Sequence, residues 1–255
     1  VPQLAALVGS AVHAGLAVYY RDRLVGTPPP ATGRPALLTT AIMAAQATLA
    51  AELVVVREGG YVVQPQQEAS LAGLPARVER VLTKFVEQDP IPAPWTIKGV
   101  ELEMPRAGHA RLDLAVEDEM GPAVLDWKYK GTLDKRYYDK EVARYRHSWQ
   151  MRHYCWGYGE LLGEPVSRYY VGLIVGDPFQ VSLLQYDLAP EDQAAWLQSA
   201  QRIWTHMDAM KAGREEPWMS PTHETVYGPC EFQDMCLRWR WDENLAQTDY
   251  VRRVR

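Results

Sequence analysis

Cysteine is scarce: the 255 residues hold three, Cys155, Cys230 and Cys236. Three is an odd number and too few for a disulfide scaffold, so a reducing, cytoplasmic setting is expected. Nor is there an excess of one charge. With 27 Lys and Arg against 32 Asp and Glu, the formal net charge is −5, which excludes a protein that binds nucleic acid with its whole surface. The richest alanine stretch, residues 41–51, is interrupted by Gln46; no bilayer-spanning run and no contact with a membrane are expected. A signal peptide is not expected either, because the N-terminus lacks a basic region followed by an apolar segment and a cleavage site. The chain opens on Val1 rather than Met, and some preceding sequence is expected to be missing. Internal repeats and low-complexity tracts are absent.

What is present is ordinary globular composition, 47% hydrophobic and 23% charged, enough to bury a sizeable core. Residues 9–24 read as a helix with Ser10 as N-cap, and residues 36–57 as another beyond a triple-proline loop. A third helix is expected over 75–88, where Val78, Val81, Leu82 and Phe85 recur at helical spacing. After the PIPAP segment the period changes to two, and strands are expected at 97–104, 110–117 and 122–129. One long helix from Asp139 to Leu162, strands at 168–175 and 180–187, and a helix from Pro190 to Lys211 complete the reading. This order predicts a single α/β domain with a mixed central sheet flanked by helices. Within it, 1–95 is a mostly helical part, 96–215 the core and 216–255 a tail.

Two of the strands carry chemistry. In ARLDLAVED, alternation places Leu112, Leu114 and Val116 on one face and Asp113 on the other. In AVLDWKYK, Asp126 and Lys128 share a face opposite Leu125, Trp127 and Tyr129. A hairpin of the two would gather two carboxylates and an ammonium, the minimum set for metal-assisted phosphodiester hydrolysis. Carboxylate oxygens suit Mg²⁺ or Mn²⁺. The bland alternative is a solvated polar face. Downstream, Lys128, Lys130, Lys135, Arg136, Lys140, Arg144, Arg146 and Arg152 form a local basic track interleaved with Tyr137, Tyr138, Tyr145, Trp149, Tyr154 and Tyr158. Cations with aromatic faces are a composition suited to nucleic acid, with Lys130 and Arg146 as candidate DNA contacts.

Five segments in order resemble the RecB-type branch of the PD-(D/E)xK nucleases, which includes CRISPR-adaptation nucleases and related phage exonucleases. They are GSAVHAGL, VELEM, ARLDLAV, AVLDWKYKG and SWQMRHYCWGYGELLG. The resemblance implies a restriction-endonuclease-like core and a cytoplasmic enzyme of a bacterial or phage-infected cell. It assigns metal binding to His13, Asp113, Asp126 and the main-chain carbonyl of Trp127. An acidic contributor is implied in VELEM, Glu101 with Glu103 competing. Lys128 becomes the catalytic lysine, and Gln150 with Tyr154 the QxxxY pair that meets a DNA phosphate or the surroundings of that lysine. A neutral His13 would suit Mn²⁺ better than Mg²⁺.

The resemblance also has a gap. Many RecB-type nucleases bind an iron–sulfur cluster through four cysteines, three of them in a C-x2-C-x5-C tail. Here Cys230 and Cys236 keep the final spacing, Tyr227 stands where a cysteine would, and none precedes His13. A cluster needs four ligands, so none is expected, and Cys155 reads as a packed thiol. The reading is a Mg²⁺- or Mn²⁺-dependent deoxyribonuclease, an exonuclease on ends or single strands, with a helicase, annealing protein or integrase as candidate partner. Its rivals are an endonuclease or CRISPR-adaptation trimming enzyme, and a catalytically silent DNA-binding or assembly module.

Overall fold

The computed structural model describes residues 4–24, 34–58, 65–104, 110–212, 214, 224–225 and 228–229. It divides into two units, Val1–Trp196 and Leu197–Arg255. The first contains a five-stranded sheet in the order β1-β2-β3-β4-β5. The second contains the end of helix α7 (Pro190–Lys211) and a two-stranded ribbon, β6 (Glu224–Thr225) with β7 (Gly228–Pro229). Tyr227, Cys230 and Cys236 lie outside the described residues, as do residues 105–109 between the first two expected strands.

Strands β1 (Thr96–Met104), β2 (Ala110–Asp118) and β3 (Gly121–Lys130) form an antiparallel meander, close to the predicted spans. The β2–β3 turn is tight because Asp118 pairs with Gly121, whose φ of +108° suits a residue without Cβ. Strand β4 (Arg168–Gly176) then runs parallel to β3, reached through two helices, and β5 (Phe179–Asp187) returns antiparallel at the edge. The sheet is mixed, as predicted. All nine residues of β4 are buried, as expected of a strand covered on both faces.

One face packs against α1 (Leu4–Leu24) and α4 (Leu74–Gln88), and α2 (Arg34–Glu58) packs on those two helices. Trp127 is the hub: its indole stacks on Tyr20 at 5.8 Å and meets Phe85 edge-on at 4.9 Å. The other face packs against α6 (Trp149–Leu162) through Met151, Cys155 and Tyr158. Gly172, paired with Trp127 across the sheet, gives the indole its room, since a Cβ there would run into the ring carbons. Gly172→Ala is therefore expected to cost roughly 1–3 kcal/mol by overpacking, read as a lowered midpoint in urea unfolding.

Several expectations are corrected. Helix α1 begins at Leu4, so Ser10 lies inside the helix rather than capping it. A short helix, α3 (Pro65–Ala72), precedes α4 and was not anticipated. The long helix over 139–162 is two: α5 (Lys135–Arg146) and α6 are separated at His147-Ser148. Ser148 caps α6 by accepting from the Met151 N–H at 3.3 Å, so the chain ends one helix and starts another at a residue that prefers caps to interiors. Helix α2 is, against expectation, long and apolar enough to cross a bilayer, because a single Gln46 barely lowers its mean hydropathy. Here it is a wall of the fold, burying Ala41, Ala45, Leu49 and Val56.

Alternation also fails at one informative place. Leu114 and Val116 point into the first core, but Leu112 points into the second. On the neighbouring strand Val100 packs with the first core, whereas Leu102 and Met104 join the second. The change occurs opposite Asp113, at Glu101, whose φ of +52° is rare for a residue other than glycine. Both strands thus exchange faces at one acidic pair.

Candidate active site

An open cleft of about 910 Å³ lies between helices α1 and α2 on one side and the sheet with α6 on the other. Its wall of small residues comes from the helices, among them Gly9, Ala14, Ala17 and Ala44. Its charged wall comes from the strands. His13, Glu101, Asp113, Asp126, Lys128, Gln150 and Tyr154 all line it, so seven of the side chains singled out in the sequence converge.

Asp113 sits where β2 and β3 part. The ladder runs from Asp118 and Gly121 to Leu114 and Leu125 and then stops. Beyond it, the Trp127 N–H donates to Asp113 Oδ2 at 2.8 Å, so a carboxylate stands where a backbone carbonyl would have been the acceptor. The same oxygen lies 3.3 Å from His13 Nδ1. Burial draws the His13 imidazole toward its neutral form, but the Asp113 hydrogen bond and the charges of Asp113 and Asp126 outweigh it. The pKa is held above the ordinary histidine value.

Asp126 is almost entirely buried, at 1% exposure. Its Oδ1 accepts from the Gln150 amide at 3.2 Å. Its Oδ2 makes no hydrogen bond and meets the Lys128 ammonium at 2.6 Å as an ion contact off the hydrogen-bond direction. Burial first, and the negative charge of Asp113 second, push the Asp126 carboxyl up to about 6, against the opposing pull of Lys128. The Lys128 ammonium also donates to Gln150 Oε1 at 2.9 Å, while the Gln150 amide donates to the Tyr154 hydroxyl at 2.8 Å. One glutamine therefore fixes the lysine, the aspartate and the tyrosine. Tyr154 is buried, and that burial raises its phenol to about 12.

Glu101, rather than Glu103, lines the cleft. Its carboxylate pairs with the Arg111 guanidinium at 2.5 Å. Half-burial raises its pKa in spite of Arg111. The indole of Trp127 belongs to the core, and only its main chain approaches the carboxylates.

The basic, aromatic track is largely absorbed by the fold. Lys130 pairs with Glu141 at 2.7 Å, Arg136 with Asp134, and Arg152 donates to the Asp192 carbonyl. Arg146 borders a separate surface hollow with Asp139, Val142, Ala143 and His147. Neither Lys130 nor Arg146 lines the cleft. Tyr145, Tyr154 and Tyr158 are buried, leaving Tyr137 and Trp149 as the exposed rings of that segment. Sequence reading overlooked Arg21 and Arg111, which do line the cleft. The signals were available: Arg111 is two residues from Asp113 on one strand face, and Arg21 follows His13 and Ala17 at steps of four along α1.

The donors suit a hard divalent cation. Two carboxylates and an imidazole share one cleft, and a sealed oxygen of Asp126 carries negative charge that burial makes costly. Among the described residues, no three His, Cys, Asp or Glu side chains are already grouped as a ligand set. The acids are instead turned toward Lys128, His13 and Arg111.

None of the curated proteins compared with the chain matches it. The model of one family, the PD-(D/E)XK nuclease superfamily, matches residues 2–237, which include all the described residues and every side chain of the cleft. Together with the mixed five-stranded sheet, the match shows that the chain belongs to the PD-(D/E)XK nuclease superfamily.

Proposed function

We propose that the protein is a Mg²⁺- or Mn²⁺-dependent deoxyribonuclease, acting as an exonuclease on DNA ends or single strands. The observation that supports this best is the convergence of Asp113, Asp126 and Lys128 in one cleft, with Asp126 buried beside a second carboxylate. Asp113 and Asp126 would hold the cation, with His13, the Trp127 carbonyl and Glu101 as further donors. A bound divalent cation supplies Lewis-acid neutralisation of the phosphate and activation of water.

The chain's own groups do the rest. Gln150 holds the Lys128 ammonium beside Asp126, where it orients the attacking water and stabilises charge developing on the phosphoryl oxygens. Tyr154 steadies Gln150 from the buried side. His13 fixes Asp113 from α1, so the helical part and the sheet each contribute to one centre.

End-labelled linear single- and double-stranded DNA, beside a circular single strand, tests the reading with Mg²⁺ and with Mn²⁺. The linear strands are expected to shorten progressively while the circle survives. Cleaved circles would identify an endonuclease. Retarded but intact DNA with either cation would identify a binding module.

A further inference from the structure

The cleft contains two cations that the mechanism does not use. Arg21 projects from α1, exposed, and among the described residues it makes no hydrogen bond or ion pair. Arg111 projects from β2, 65% exposed at its side chain, with its guanidinium on Glu101. The two come from opposite walls, helix and sheet, yet both act electrostatically on the same carboxylate, Glu101. The other cleft cation, Lys128, is held by Asp126 and Gln150. A strand threading the cleft brings phosphates past acids at Glu52, Glu101, Asp113 and Asp126 and needs cations beyond that lysine.

We propose that Arg21 and Arg111 grip a backbone phosphate of the nucleic-acid substrate from the two walls of the cleft, and that the Glu101–Arg111 pair is the resting arrangement which this phosphate breaks. The inference rests on the nuclease reading above and assigns the part of the site that holds the strand. Guanidinium groups match phosphate with a planar fork, and the Arg111 end of the pair, unlike Glu101, stands open to an incoming phosphate. Opening it has a second consequence. Glu101, opposite Asp113 at the point where both strands change faces, loses its counter-ion as substrate enters and becomes available to the cation site. Strand entry and completion of the acidic cluster are thereby one event.

The test is binding of a fluorescein-labelled oligothymidylate, read by anisotropy over a KCl series in Ca²⁺, with the oligonucleotide checked on a denaturing gel to be intact. Arg21→Ala and Arg111→Ala are each expected to weaken binding roughly ten-fold at low salt. The double variant is expected to flatten the slope of log K against log[KCl] by roughly 0.7, the share of one phosphate contact on a single strand, and each single variant by part of that. Arg111→Lys is expected to keep the slope while losing part of the affinity. Variants that bind more weakly with wild-type slopes would make the arginines structural and overturn the grip. Wild-type protein that cleaves DNA in Mn²⁺ while both Ala variants keep wild-type binding and slopes sinks the grip alone. Wild-type protein that neither binds nor cleaves sinks the nuclease reading, and the grip with it.

Discussion

Lys128→Ala is expected to leave the protein folded and able to bind its cation while lowering the cleavage rate by roughly 10²–10³-fold, the usual effect of removing one group aimed at transition-state charge. The side chain is 29% exposed and contributes no packing to either core, so truncation opens no cavity. Its removal leaves Asp126, 2% exposed at its side chain, without its ion partner. That would be costly in the cation-free protein, because a buried charge is left alone. A bound cation replaces the lost charge, so the comparison belongs in Mn²⁺. There the variant should gain as much thermal stability from Mn²⁺ as the wild type does. Lys128→Arg is not expected to restore activity, because the planar fork is wider than the single ammonium that fits between Asp126 Oδ2 and Gln150 Oε1. Initial rates on end-labelled DNA and melting curves with and without Mn²⁺ read both halves. A Lys128→Ala enzyme that cuts at the wild-type rate removes the lysine from the mechanism.

The same lysine shows what a sequence exposes and what it hides. Two-residue periodicity put Asp126 and Lys128 on one face, and the structure joins them at 2.6 Å, because strand alternation is a local rule. The convergence of His13 is a tertiary fact, settled by how α1 crosses the sheet, and no spacing around His13 predicts it. Alternation misplaced Leu112 because it assumes an unbroken strand, and the left-handed backbone of Glu101 on the neighbouring strand marks where both exchange faces. A glutamate gives no local warning of that conformation. The break between α5 and α6 was visible as Ser148, a capping residue inside an apparently continuous helical pattern. Composition overstated the basic track for a different reason. Charges adjacent in sequence neutralise against acids that the fold supplies, as Lys130 does with Glu141, and tyrosines at helical spacing fill a core as readily as they stack on bases. Within the cleft the overlooked cations, Arg21 and Arg111, lie on the same elements as the recognised residues. They escaped notice because arginine on a surface strand or helix is ordinary.

Asp126→Asn has the larger expected effect, since it alters both the cation site and the energetics of the protein in EDTA. Cleavage is expected to fall below detection, and the response to cation with it. At a Mn²⁺ concentration a hundred times its Kd, the wild type should gain about 2.7 kcal/mol of stability, whereas the variant should gain almost none. The cation-free proteins should differ in the opposite sense. In the wild type the folded state holds the Asp126 proton more tightly than the unfolded chain does, with a pKa near 6 against the ordinary 3.8. The stability this contributes is complete below about pH 4 and is lost as the pH rises through about 6. Asparagine keeps the shape and an acceptor for the Gln150 amide but carries no charge to bury, so the variant should lack the share of the loss that Asp126 contributes across that window. Urea unfolding in EDTA at pH 5 and pH 8 should therefore show the wild type weakening with rising pH more than Asp126→Asn does. Equal pH dependence in the two proteins would mean that Asp126 is already compensated by Lys128 and Gln150. The buried carboxylate would then be a structural ion pair, and the main physical reason for placing a cation in this cleft would be gone.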